Sequence, residues 1–246
     1  MKLREDEVRI TAPDCEIRSI LIRPVGEGPW PAVLFYSDIF QLTESTLRTA
    51  RRLASHGFAV CAPEIYPRDL AGQALEFDDA GKASGLAGAA ATTTAQFDSD
   101  RVAVLDHLAG RPDITEVYGV GFCIGGHLAF RAAFDERVAA TVCFYPTGLH
   151  DGKLGGDADS GTLARATDVA GRMMVVFGSN DPHVPADARL QILSTLYAAG
   201  AEHLELHIYA GGDHGFGVRK SSLPVSSWGD RCLDWLHNLG MLAPRK

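Results

Sequence analysis

Short apolar runs recur along this chain, separated by stretches that keep helical spacing. That alternation restricts the fold more than any other feature. PAVLFYS (Pro31–Ser37), FAVCAPE (Phe58–Glu64), VYGVGF (Val117–Phe122), VAATVCFY (Val138–Tyr145), RMMVVFGS (Arg172–Ser179) and LELHIYA (Leu204–Ala210) are strand-length and largely apolar. A strand buried on one face alternates apolar with polar residues, whereas one buried on both faces reads as a nearly continuous apolar run. The pattern therefore predicts an α/β fold, a mostly parallel sheet flanked by helices on both faces.

Helices fill the intervals. Leu47, Ala50, Leu53 and Ala54 share one face, and Gly57 is the expected stop. A second helix carries Leu105 and Leu108, ends at Gly110, and is expected to be capped by Ser99 or Asp100. Ile124–Phe134 reads as a third, and Leu190, Leu193 and Tyr197 mark a fourth that ends near Gly200. Trp228, Cys232, Trp235, Leu236 and Leu239 mark a closing helix. IRSILIRPV (Ile17–Val25) is expected as an antiparallel edge strand. The segment Asp69–Phe97 is rich in Gly, Ala and Thr, with weak periodicity. No repeat and no linker-like stretch interrupts the series, so residues 1–246 read as a single α/β domain.

Charge narrows the function classes. The 31 acidic residues outnumber 23 basic ones, and no Lys/Arg run occurs, which disfavours nucleic acid and anionic membranes as partners. The N-terminus MKLREDEVRI has no apolar core of a secretory signal, and no apolar run nears the roughly 20 residues of a membrane span. Five scattered cysteines, without a C-x-x-C pair, suit reduced thiols in a cytoplasmic protein. The nine histidines do not cluster at ligand spacing, so neither a metal nor a cofactor is expected. A monomer or small homo-oligomer is the expected state.

One loop stands out for chemistry. In GFCIGG, Cys123 lies between Gly121 and Gly125, after a strand and before a helix. A nucleophile elbow needs small neighbours there, because strand and helix meet at a strained turn around one side chain. A thiol at a helix N-terminus is favoured as thiolate, and the Ile124 N–H would face a developing oxyanion. Two bland readings compete. A lone cysteine is most often core filler, as Cys61 and Cys143 inside strands are read. The glycines at 119, 121 and 125 also loosely resemble a dinucleotide fingerprint, but no acidic residue stands where the ribose would need one.

A nucleophile needs a base and an orienting group. Asp181 in GSNDPHVP and His214 in GGDHGF follow later strands, in the order nucleophile, acid, histidine used by α/β-hydrolases. Asp213, His183 and His127 are weaker candidates, and Asp213 is expected to face solvent.

With these motifs assembled, and with YSDIF and APEIYPR beside them, the chain from about Pro31 to Leu236 resembles the dienelactone hydrolase family of α/β-hydrolases. The resemblance implies a Cys123–His214–Asp181 triad and an oxyanion hole from the N–H groups of Ile39 and Ile124. It implies an acidic residue near the thiol, here Asp38, one methylene shorter than the family's glutamate. It also implies aromatic substrate contacts at Phe40 and Tyr145. The family holds a substrate carboxylate with two arginines, whereas here residues 71–100 contain none and Arg219 lies one residue out of register. The expected activity is hydrolysis of a small-molecule ester or lactone through an acyl-cysteine, without cofactor or metal. The segments Asp69–Phe97 and Leu149–Gly161 are expected to shape the pocket mouth. The rival expectation is a non-catalytic ligand-binding or regulatory relative of the same fold.

Overall fold

The computed structural model describes residues 1–201 and 203–218. In chain order it runs β1 (Leu3–Thr11), β2 (Glu16–Pro24), β3 (Trp30–Tyr36), α1 (Glu44–Ala54), β4 (Ala59–Pro63), α2 (Asp79–Ala91), α3 (Thr94–Ala109), β5 (Ile114–Phe122), α4 (Ile124–Ala132), β6 (Val138–Phe144), β7 (Arg172–Gly178), α5 (Ala186–Ala198) and β8 (Leu204–Tyr209). One eight-stranded sheet has the order β1-β2-β4-β3-β5-β6-β7-β8. Strands β3 to β8 run parallel, while β1 and β2 join antiparallel at one side. Ala32, Val33, Leu34 and Phe35 are successive and all fully buried. Neighbouring strand residues point to opposite faces, so both faces of the sheet are covered.

The order β4-β3-β5 means that the chain leaves β3 in one direction and returns on its other side. Such a switch opens a crevice at the carboxyl ends of the strands. The loops after β3 and β5 meet there, and the loops after β6, β7 and β8 line up along the same edge.

Several expectations need correction. The segment Ile17–Val25 is antiparallel but not at the edge, since β1 pairs along its full length from Leu3↔Pro24 to Thr11↔Glu16. Strand β1 escapes the apolar-run criterion because it is an edge, with charges at Arg4, Glu5, Asp6, Glu7 and Arg9. The helix before Gly110 begins at Thr94 rather than near Ser99. Its cap is Thr93, which accepts from Gln96 N while the Gln96 side chain accepts from Thr93 N. Ser99 and Asp100 lie inside α3. In α5 the buried face is Ala188, Ile192 and Leu196, and Leu190 and Tyr197 face outward. The weakly periodic segment contains a 13-residue helix, α2. The helix expected at Trp228–Leu239 lies outside the described residues. No described helix is long and apolar enough to cross a membrane.

Candidate active site

Local sequence explains the turn at Cys123. Its φ is 61° and ψ −123°, a conformation that non-glycine residues adopt only under constraint. The constraint comes from the flanking glycines. A Cβ on Gly121 would lie 1.9 Å from the Gly125 carbonyl oxygen, one on Gly125 2.1 Å from that of Ser37, and one on Gly126 2.5 Å from that of Phe144. The start of α4 therefore packs directly on the backbone of its neighbours. The space that a bound pyrophosphate would need beside these glycines is filled by the chain itself, which removes the basis of the dinucleotide reading. The Cys123 N–H donates to Phe144 O at 3.1 Å and fixes the elbow to β6.

Asp181 and His214 meet at the same sheet edge. His214 Nδ1 and Asp181 Oδ2 are 2.8 Å apart. Asp181 Oδ1 accepts from the N–H groups of His183 at 2.8 Å and Val184 at 3.3 Å. Burial disfavours a charge on Asp181, yet the His214 contact and these two donors hold its carboxyl below 3.8. His214 also lies close enough to Cys123 for the two to interact electrostatically. Burial alone would lower the imidazole pKa. The Cys123 charge and Asp181 outweigh it, and the ring is raised to about 9. Tyr145 packs on the His214 ring at 4.6 Å, and its hydroxyl donates to Phe216 O at 2.6 Å.

Asp38 is fully buried, and its Oδ1 accepts from the Phe40 N–H at 3.0 Å, so part of the carboxylate shapes the loop after β3. Tyr66 lies within electrostatic reach of both Asp38 and Cys123, and burial keeps its hydroxyl protonated. Tyr145 has no exposed surface, which puts it behind His214 rather than in the substrate space, contrary to the aromatic-contact expectation. Asp213 is half-buried rather than solvent-facing.

A cavity of about 400 Å³ opens above the thiol. Ile39, Phe40, Leu86, Ala89, Ile124 and Leu154 give it an apolar wall, and Cys123, Thr147, His183 and His214 its polar floor. Its size suits a small organic ligand. Both oxyanion-hole candidates, Ile39 and Ile124, line it, and the Ile124 N–H at the first turn of α4 has no intrahelical partner. Lys82 from α2 and Lys153 also line it, with Lys153 paired to Asp151 at 3.0 Å. Sequence reading missed both lysines and Thr147. For Thr147 the signal was present, since it follows β6 at the carboxyl edge.

Asp14, Cys15 and Asp100 come within reach of a common ion. The Arg68 guanidinium already occupies that cluster, 2.9 Å from Asp14 Oδ2 and 2.8 Å from Asp100 Oδ2, so it is better described as a salt-bridge group.

Comparison with known proteins identifies the family and the fold. The dienelactone hydrolase family model matches residues 17–235. A Saccharomyces cerevisiae protein described as "Putative carboxymethylenebutenolidase" is 34% identical over 189 residues, covering 75% of this chain and 69% of its own. A Synechocystis protein of the same description is 28% identical, covering 85% of each chain. A Klebsiella pneumoniae structure described as "Putative Dienelactone Hydrolase" superposes with a TM-score of 0.84 at 23% identity, over 98% of this chain and 100% of that one. The doubly covered parallel sheet is thus an α/β-hydrolase fold, and the chain belongs to the dienelactone hydrolase family of carboxylic ester hydrolases.

Proposed function

We propose that the protein hydrolyses a small ester or lactone through a Cys123–His214–Asp181 triad and an acyl-cysteine intermediate. The observation that carries this reading is the cysteine elbow at φ 61° facing a histidine already bound to a buried aspartate at 2.8 Å. Cys123 and His214 share one proton, and with that proton on the imidazole, whose pKa is raised to about 9, the Cys123 sulfur attacks the substrate carbonyl carbon. The resulting oxyanion lies against the N–H groups of Ile39 and Ile124, and each such donor is typically worth about 3 kcal/mol of barrier. His214 then gives its proton to the leaving oxygen. A water, deprotonated by the same imidazole, attacks the acyl carbon and releases the acid and the thiol. Asp181 holds the ring in the tautomer with its proton on Nδ1.

The lysines at the mouth favour a substrate with an acidic group. Both sit on the cavity that contains the thiol, whose other walls are apolar. Lys82, with Lys153 already paired to Asp151, supplies positive charge here where residues 71–100 offer no arginine, and Arg219 lies outside the described residues. Phe40 supplies an aromatic wall, packed edge-on to Phe77 at 4.8 Å.

Steady-state hydrolysis of aryl esters and enol lactones tests the triad. Cys123→Ala and His214→Ala should each lose about a thousandfold or more in kcat, because nucleophile and base act as one unit. Turnover by Cys123→Ala near the wild-type rate would exclude the mechanism.

A further inference from the structure

Three contacts fasten Thr147 to the elbow. Its N–H donates to Cys123 O at 3.3 Å, its carbonyl accepts from His127 Nδ1 at 3.0 Å, and its Oγ1 lies 3.6 Å from Cys123 Sγ. The carbonyl can only accept, so the proton of the fully buried His127 ring is on Nδ1. Nε2 therefore accepts from the Thr162 hydroxyl at 2.8 Å. The Thr162 oxygen in turn accepts from Arg131 Nη1 at 2.7 Å, and a guanidinium can only donate. Every hydrogen bond from Arg131 to Thr147 thus has one permitted direction. Burial lowers the His127 pKa to about 4, so the ring stays neutral and the chain keeps that polarity across the neutral range. This apparatus delivers a hydroxyl to the sulfur atom and to the floor of the cavity.

We propose that the Thr147 hydroxyl is a catalytic hydrogen-bond donor to the Cys123 thiolate. The proposal rests on the reading of Cys123 as nucleophile. While the thiol is neutral, either atom can supply the hydrogen between them. Once the thiol proton has moved to His214, the sulfur has none to give, and of the two atoms in this contact only the Thr147 oxygen can donate. A donor that bonds the charged form more strongly than the neutral one stabilises the charged form. No proton leaves threonine. Its hydrogen turns toward sulfur as the charge develops and turns away again when the sulfur is acylated. The other titratable or charged groups facing this space are His214, His183, Asp38, Tyr66, Lys82 and Lys153, from the other loops and from α2. All of them are retained in the variants below.

The test is the pH dependence of iodoacetamide alkylation of Cys123 in the full chain. It is followed by mass spectrometry of the Cys123 peptide, because the chain has five cysteines. Valine preserves the shape of threonine and removes the donor. Thr147→Val should raise the midpoint by about one pH unit, making alkylation about tenfold slower below it. Thr147→Ser should stay within about twofold of wild type, and ester kcat/KM should follow the same order. A wild-type midpoint in Thr147→Val would overturn the proposal, as would serine behaving like valine. Alkylation reads the thiolate without requiring ester turnover. Failure of the triad, seen as turnover by Cys123→Ala, is therefore separable from failure of the Thr147 contact.

Discussion

Lys82 shows how one residue sets a preference that the reaction itself does not. It stands exposed on α2, on the wall of the cavity that holds the thiol. An exposed ammonium attracts an anion weakly and is screened by salt. Lys82→Ala is therefore expected to raise KM about three- to fivefold for an ester bearing a carboxylate, with kcat nearly unchanged. A neutral aryl acetate should show no change, and the carboxylate effect should shrink in about 0.5 M salt. Paired kinetics on the two substrates check this, and equal effects on both would count against the anion-binding role. A search for arginines passes over Lys82, since the carboxylate-binding signal was sought as one residue type at fixed positions. Cys123, Asp181 and His214 were legible for the opposite reason, because each sits in a short loop after an apolar strand. Thr147 and His127 work through backbone groups and one neighbouring side chain, and sequence spacing does not encode such contacts.

At the scale of elements, the least legible piece is one that lines the cavity. Helix α2 is mostly Ala and Gly, so it has little contrast between a buried and an exposed face, and periodicity cannot find it. Its glycines are explained by close approach. A Cβ on Gly85 would lie 2.4 Å from the Ile39 carbonyl oxygen, and one on Gly81 2.0 Å from that of Glu76. The first contact is with the proposed oxyanion residue, and the second is with the segment leading into the helix. Alanine would gain roughly 1 kcal/mol in helix propensity at either site, but a backbone clash that short must displace something. Both Gly85→Ala and Gly81→Ala should lower the thermal midpoint. Only Gly85→Ala should also lower kcat, by about tenfold or more, because it pushes on the loop that positions the Ile39 N–H. Equal kcat losses in the two variants would show that α2 acts through general stability. The apolar strands β3 to β7 were readable because burial on both faces leaves a nearly continuous run, whereas β8, at the other edge and only partly buried, was readable from its alternating Leu204, Leu206 and Ile208. Strand β1 was not, because edge strands carry charge.

At the scale of the whole molecule, the site is an assembly of strand ends, so its electrostatics contribute to folding. His214 and Asp181 lie 33 residues apart in sequence and meet only when β7 and β8 are in register. Against the lowering effect of burial, a charge on Cys123 and then Asp181 raise the imidazole pKa from 6.5 to about 9 in the fold. A raised pKa means that the folded state holds the proton more tightly. Its contribution is complete below about pH 6.5 and is lost as pH rises through about 9. Asp181 is shifted the other way, below 3.8, so its contribution is present above that value and is lost as pH falls. Both are fully present only between about pH 4 and 6.5. The difference in thermal midpoint between wild type and His214→Ala should therefore be largest near pH 5 to 6 and shrink steadily from about 7 to 10. Melting curves across that range measure it directly. A difference independent of pH would mean that His214 stabilises the fold by packing on Tyr145 and His183, whose rings lie 4.6 and 4.7 Å from its own, rather than by its charge.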